Sequence, residues 1–378
     1  MLLSTLKSWS PFRIDALGLV TILGFHEINL SVGRFLHSWI TECLPFLGAF
    51  TVASNQILEP IPGFVLYNIS DGIMATDLSS WFTRWLTLYP LTYTSTVLEF
   101  KTDANPLPHP RWLASPSLGI CVCSPLIVLA CLMGDWWGLA NALSMTASVI
   151  VRKVILLQNR AAIDRAVLLS TSPSLPQDEV VKAFLTTPSG KAVTIYAPRR
   201  IVINVLLTNT TPLNPALYSA TRMTGWASFA IHIVALGMTS LFNQLLSVAV
   251  LAVSTILAIR GVGDMPHLLG ERLYIDVSCR SANEFRAAAY AALNLSEKEE
   301  QSMVLWNLFP HRSNTRWWER YRAAIDERSG GNKQWASWDK ILAGTVTHSS
   351  LESESETRTG NDGLGAPVEK EQYGGEQG

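Results

Sequence analysis

From Met223 to Ile259 the chain carries no Asp, Glu, Lys or Arg, and Arg222 and Arg260 close the run at its two ends. A helix rises about 1.5 Å per residue, and the hydrocarbon core of a bilayer is about 30 Å thick. The run is too long for one span and fits two joined by a tight turn. Thr239-Ser240 and Asn243-Gln244 are its most polar points. The pattern therefore predicts spans over 223–239 and 245–259.

A similar pattern occurs earlier. Trp112 to Gly134 is free of charge, Asp135 interrupts, and Leu139 to Val151 is again uncharged before Arg152-Lys153. This predicts a second hairpin, with spans near 114–134 and 137–157 and a Gly134-Asp135-Trp136-Trp137 turn anchored by its Trp pair at the interface. Pro125 falls inside the first span. Ala140, Ser144 and Ser148 place a small residue every four positions, which suits close approach of a neighbouring helix, from this chain or a second copy. Past Arg152 the helix can run on as an amphipathic rod to about Ser170.

The N-terminal third is less regular. Residues 16–36 begin apolar and then take in Glu27 and Arg34 on one helix face. They read either as an ion pair or as the interfacial end of a short span, with Arg34 snorkelling. Cys43 to Leu58 is a second uncharged run, short for a span. Trp81, Phe82, Trp85 and Tyr89 around Arg84 predict an amphipathic helix on the membrane surface. Residues 180–187, 191–197 and 200–208 read as strands of a small meander. Gly261 to Pro266 reads as loop. Helices are expected over 281–293 and 296–309, the latter with a Ser296/Glu299 capping box. From about Thr347 the composition is that of a disordered tail.

The expected fold class is an all-α polytopic membrane protein, with helical hairpins, a small cytosolic β-containing insert and a disordered C-terminal tail. Its divisions are an N-terminal region 1–111 with one or two membrane segments and an interfacial helix, a transmembrane hairpin 112–157 and a cytosolic insert 158–222. A second hairpin 223–259, a cytosolic helical region 260–346 and the tail 347–378 follow. Lys and Arg mark the cytoplasmic side of spans. Neither hairpin turn holds one, while Arg111, Arg152, Lys153, Arg222 and Arg260 flank the other ends. Both turns should therefore face the lumen or exterior, and the 158–222 loop and the C-terminus the cytosol. The sequons at Asn209 and Asn294 should stay unmodified.

Composition sharpens this picture in places. Only 16% of the 378 residues are charged, against about 25% in average soluble domains. A net charge of -1 argues against a nucleic-acid binder. The five cysteines form no disulfide framework, and Cys121 and Cys123 point to different helix faces, a poor metal clamp. No cofactor or metal signature stands out. Thr187-Pro188-Ser189-Gly190-Lys191-Ala192 lacks the leading glycine of a phosphate loop and the hydroxyl after its lysine. The intramembrane polar candidates are Asp135, Asn141, His232, Asn243 and Gln244. Polar groups at such depth are functional candidates or interhelical hydrogen-bond partners. No catalytic residues can be named. The readings that follow are a non-enzymatic membrane or accessory protein first, then a transporter or channel component, then a membrane-embedded enzyme.

Ile120-Cys121-Val122-Cys123-Ser124-Pro125, Cys131 to Asn141 across the Gly-Asp-Trp-Trp-Gly turn, Asn159 to Asp164, Val193 to Arg199 and Pro215 to Tyr218 resemble uncharacterised multi-pass membrane proteins of filamentous fungi. The likeness covers roughly residues 16 to 275. It implies fungal origin and membrane residence, and carries over no functional residues.

Overall fold

An eight-stranded mixed sheet organises the chain, which overturns the all-α polytopic class. The computed structural model describes residues 25–46, 50–91, 96–102, 114–171, 179–279, 290, 293 and 295–329. The tail expected over 347–378, the N-terminal residues to 24, and most of the helix expected over 281–293 lie outside these. The chain forms two units, residues 1–311 and 312–378.

In the first unit, helix α1 (Phe25–Val32) leads to strand β1 (Leu36–Ser38). A short helix α2 (Phe50–Ala53) and a 3-10 turn (Gln56–Leu58) stand where the 43–58 run suggested a span. Strands β2 (Val65–Asn68) and β3 (Ile73–Ala75), helix α3 (Ser80–Leu88) and strand β4 (Thr96–Thr102) follow. The first hairpin is α4 (Ala114–Met133) and α5 (Trp136–Ser170). Then come β5 (Val180–Thr186), β6 (Ala192–Pro198) and the short α6 (Arg199–Ile201), which runs into a π-helical turn over Val202–Leu206. The second hairpin is α7 (Pro215–Met238) and α8 (Leu241–Ile259), followed by β7 (Asp264–Leu269), β8 (Leu273–Cys279) and α9 (Glu297–Leu305). In the second unit the described helix is α10 (Thr315–Ser329), where Trp317 stacks on Tyr321.

The strand order is β1-β7-β8-β4-β6-β5-β2-β3. Every pairing is antiparallel except β4 with β6. That one parallel pair needs a long crossover, and the first hairpin with β5 supplies it. The chain leaves the sheet at β4, runs out along α4, and returns along α5 to β5. It leaves again at β6, runs out along α7, and returns along α8 to β7. The expected small insert is thus part of a sheet assembled from residues 36 to 279.

Two other expectations change. Residues 201–206 are helical because Ile201, Val202, Val205 and Leu206 are buried at i, i+1, i+4 and i+5, a helix period rather than an alternating one. Helix α3 lies in the core, not on a membrane surface. Trp81, Phe82, Trp85 and Arg84 are all buried, and the indole N–H groups of Trp81 and Trp85 donate to the carbonyls of Val205 (3.2 Å) and Pro266 (2.9 Å). Other elements match: α5 is one helix through Ser170, β5 and β6 form the expected pair, and Ser296 and Glu299 close a capping box on α9.

Among the described residues, three helices, α4, α5 and α8, are long and apolar enough to cross a membrane. Their outer faces leave Ile120, Val128, Leu132, Leu143, Ile150, Val253 and Ile256 exposed. Helix α7 adds Met223, Trp226, Ile231, Val234 and Met238 to the same apolar surface.

Candidate functional site

Two polar clusters stand at opposite ends of the helical hairpins. The first is at the tips. Asp135 caps α5, its Oδ1 accepting the N–H of Gly138 at 2.9 Å. Its Oδ2 accepts from the second hairpin: Thr239 Oγ1 at 2.7 Å, Ser240 Oγ at 2.7 Å, the Ser240 N–H at 2.9 Å and Asn243 Nδ2 at 2.8 Å. Five donors on one carboxylate occupy its acceptor capacity. Burial alone would raise the Asp135 carboxyl, but the Gly138 and Ser240 N–H groups and the Ser240 and Thr239 hydroxyls outweigh it and hold it well below the usual range. The arrangement is that of a staple joining two turns. Gly138 is needed beneath it: a Cβ there would meet Asn243 Nδ2 at 2.8 Å and Asp135 Oδ2 at 2.9 Å.

The other sequence candidates fall on nearby turns. Asn141 donates to Ser247 Oγ at 2.9 Å, and Gln244 to the carbonyl of Leu236 at 3.1 Å. His232 is buried on α7, and its Nδ1 has no partner among the described residues. The structure thus gathers Asp135 and Asn243 directly, ties Asn141 and Gln244 beside them, and leaves His232 outside the staple. Of the small-residue row, Ser144 is buried within the chain's own bundle, its hydroxyl on the Asn141 carbonyl, while Ala140 and Ser148 are half-buried.

The second cluster lies where the hairpins meet the sheet, and sequence reasoning missed it as a group. Arg160 on α5 donates from Nε to the Phe35 carbonyl (2.8 Å), from Nη2 to the Leu36 carbonyl and from Nη1 to Glu42 Oε1 (2.9 Å). Phe35 has a positive φ of 57°, a strained conformation for a bulky residue, and Arg160 fastens its carbonyl. Arg152, two turns earlier, donates to the carbonyls of Glu42 and Leu44 and lies 3.7 Å over the Phe46 ring. Arg34 pairs with Asp264 at 2.6 Å rather than with Glu27, which is exposed. These groups border a cavity of about 30 Å³ lined by Ser31, Ser38, Thr41, Glu42, Arg152 and Asp264, room for a water. A separate buried arginine sits in α3. Arg84 donates to the carbonyls of Gln56, Glu59 and Ser80 and to Asn29 Oδ1, and burial pushes it down to about 10. The legible signal was arginine inside apolar surroundings, with Arg152 and Arg160 about two turns apart on one helix face. Their partners, distant backbone carbonyls, leave no mark in the sequence.

Acid should test this cluster. Burial alone would raise the Glu42 carboxyl, but Arg160, and after it His37 and Lys153, outweigh it and hold it below its ordinary value. Asp264 goes the other way, raised by burial more than Arg34 lowers it. The Glu42 contribution to stability is therefore full above its unfolded value, about 4.3, and is lost as pH falls through the lower folded value. Asp264 contributes with the opposite sign, losing stability as pH rises through its raised value. A Glu42→Gln variant is expected to show a flatter acid limb of stability below about pH 5 than the parent in thermal melts. An equally steep limb would remove Glu42 from the acid-sensitive groups.

Among the described residues, no group of three or more His, Cys, Asp or Glu is placed to hold a metal ion. No protein-family model, curated protein or solved structure matches the chain.

Proposed function

We propose that this is a multi-pass integral membrane protein whose two hairpins cross the bilayer and hold the mixed sheet at its cytosolic face. Its role is that of a non-enzymatic membrane or accessory protein. The observation that carries this reading is the inversion of polarity in the hairpins. Asp135, Asn141, Asn243, Gln244 and Ser247 are buried against one another or the backbone, while Ile120, Leu132, Leu143, Ile150, Ile231, Val234 and Val253 point outward. An exposed belt of this kind needs an apolar medium. Its sidedness follows from Lys153, Arg222 and Arg260 at the sheet end. One observation favours a transport component as the second reading: buried His232 in the hairpin interior, with a ring nitrogen that has no partner among the described residues.

Cys121 and Cys131 are exposed on α4 and give the test without mutation. In sealed membranes they are expected to resist a membrane-impermeant maleimide and to react once detergent is added. Asn209, whose Oδ1 accepts the Ser80 N–H on the sheet side, is expected to carry no glycan. Full labelling of both thiols in sealed membranes would sink the spanning model, and a glycan on Asn209 would invert its sidedness. Loss of solute movement in His232→Leu, with normal insertion, would favour the transport reading.

A further inference from the structure

We infer that the helical bundle is built for a bilayer thinner than average, of the thickness found in the endoplasmic reticulum rather than the plasma membrane. The inference rests on the spanning reading above and adds the identity of the surface it fits. The staple at Asp135, Thr239 and Ser240 puts both hairpin tips at one level, so distances along the helices share an origin. Trp136 and Trp137 are exposed at that level, 77% and 47%, where an interfacial belt belongs.

The opposite boundary is set by charge. Past the buried Arg152, which is held by the Glu42 and Leu44 carbonyls, Lys153 on α5, Arg222 on α7 and Arg260 after α8 are the first cations met from the tips. None of the three forms an ion pair with a described residue: Lys153 Nζ lies 3.8 Å from Cys43 Sγ, Arg222 Nε donates to the Ala53 carbonyl at 2.9 Å, and Arg260 is exposed. Cations that face lipid are expelled from hydrocarbon, and of the three only Lys153 acts on a described carboxylate, that of Glu42. Arg222 is tied to its carbonyl and is not free to snorkel away. The uncharged lengths of the three helices that end on these cations are Trp136–Val151, Met223–Met238 and Leu241–Ile259, while α4 is uncharged over its full Ala114–Met133 length and sets no boundary. At about 1.5 Å per residue they measure about 24, 24 and 28 Å. Tilt only shortens their projection on the bilayer normal. Exposed Leu157 and Leu217 lie about 7 Å past the cations, at headgroup depth. Endoplasmic-reticulum bilayers have hydrocarbon cores of about 27 Å, and sterol-rich plasma membranes about 32–33 Å. The bundle matches the first, and would leave charge inside the second.

The test reconstitutes the full chain into phosphatidylcholine vesicles with hydrocarbon cores from about 22 to about 35 Å, and follows thermal unfolding by tryptophan emission. A melting maximum in the about 24–28 Å vesicles is expected, with a fall of about 5 °C or more at about 33 Å and above. A maximum at or above about 32 Å, or no dependence on thickness in protein that floats with the vesicles after an alkaline wash, would overturn the inference and leave the spanning reading intact. Protein that floats with none of the vesicles would overturn both.

Discussion

Asp135→Ala is expected to destabilise the protein by about 3–5 kcal/mol, read as a loss of melting temperature in detergent. The substitution removes one side chain but strands five donors: the N–H groups of Gly138 and Ser240, the hydroxyls of Thr239 and Ser240, and the Asn243 amide. Most of these are enclosed between two turns, where water does not replace the lost acceptor. Asp135→Asn separates charge from geometry. An amide oxygen can face the second hairpin, but its Nδ2 then confronts the Gly138 N–H, so a loss of about half that size is expected. Thr239→Val should cost only about 1 kcal/mol, because Asp135 keeps its other donors. Equal and small effects for Asp135→Ala and Thr239→Val would show that the tips are held by helix packing alone.

At the other end of the bundle, Arg160→Met is expected to cost about 3–5 kcal/mol. The methionine keeps much of the stem volume and removes the guanidinium. Glu42, with 11% of its side chain exposed, then keeps its weaker contact with His37 at 3.9 Å and the attraction of Lys153. The carbonyls of Phe35 and Leu36 lose their donor, and the strained turn at Phe35 loses its fastening. The double variant Arg160→Met with Glu42→Gln should recover part of the loss, since no unpaired charge stays buried. A double variant as unstable as the sum of the singles would place the cost in the carbonyls rather than in the ion pair.

The hairpins were legible because their signal is local. Asp135 and the polar Thr239–Gln244 stretch interrupt long uncharged runs, and both turns fell where those interruptions are. The cluster they form was half legible: each of Asp135, Asn141, Asn243 and Gln244 stood out as polar in an apolar segment, but that Asp135 meets Ser240 is a tertiary fact. Beyond the β5–β6 pair the sheet was not legible. Strands β1 and β3 are three residues long, and β7 holds a proline inside its Asp264–Leu269 span, which read as loop. Strand β4 finds its partners β6 and β8 only across the hairpins. Helix α3 shows a subtler limit. Its Trp81, Phe82 and Trp85 stripe reports an apolar neighbour without saying whether that neighbour is lipid or protein. Here it is protein, and Arg84 is satisfied by carbonyls rather than by water.

The threading of the sheet fixes an order of assembly. Strand β4 is made early, yet both of its edges stay open until much later in synthesis. One is closed by β6 only after the first hairpin has gone out and come back, the other by β8 only after the second has done the same. Val97, Leu98 and Phe100, all buried in the finished fold, must wait through that interval on a strand with first two unpaired edges and then one. Completion of the sheet is thus a late event that requires both hairpins to have turned. A chain cut anywhere before Leu273 keeps a bare central strand, the kind of edge that invites aggregation.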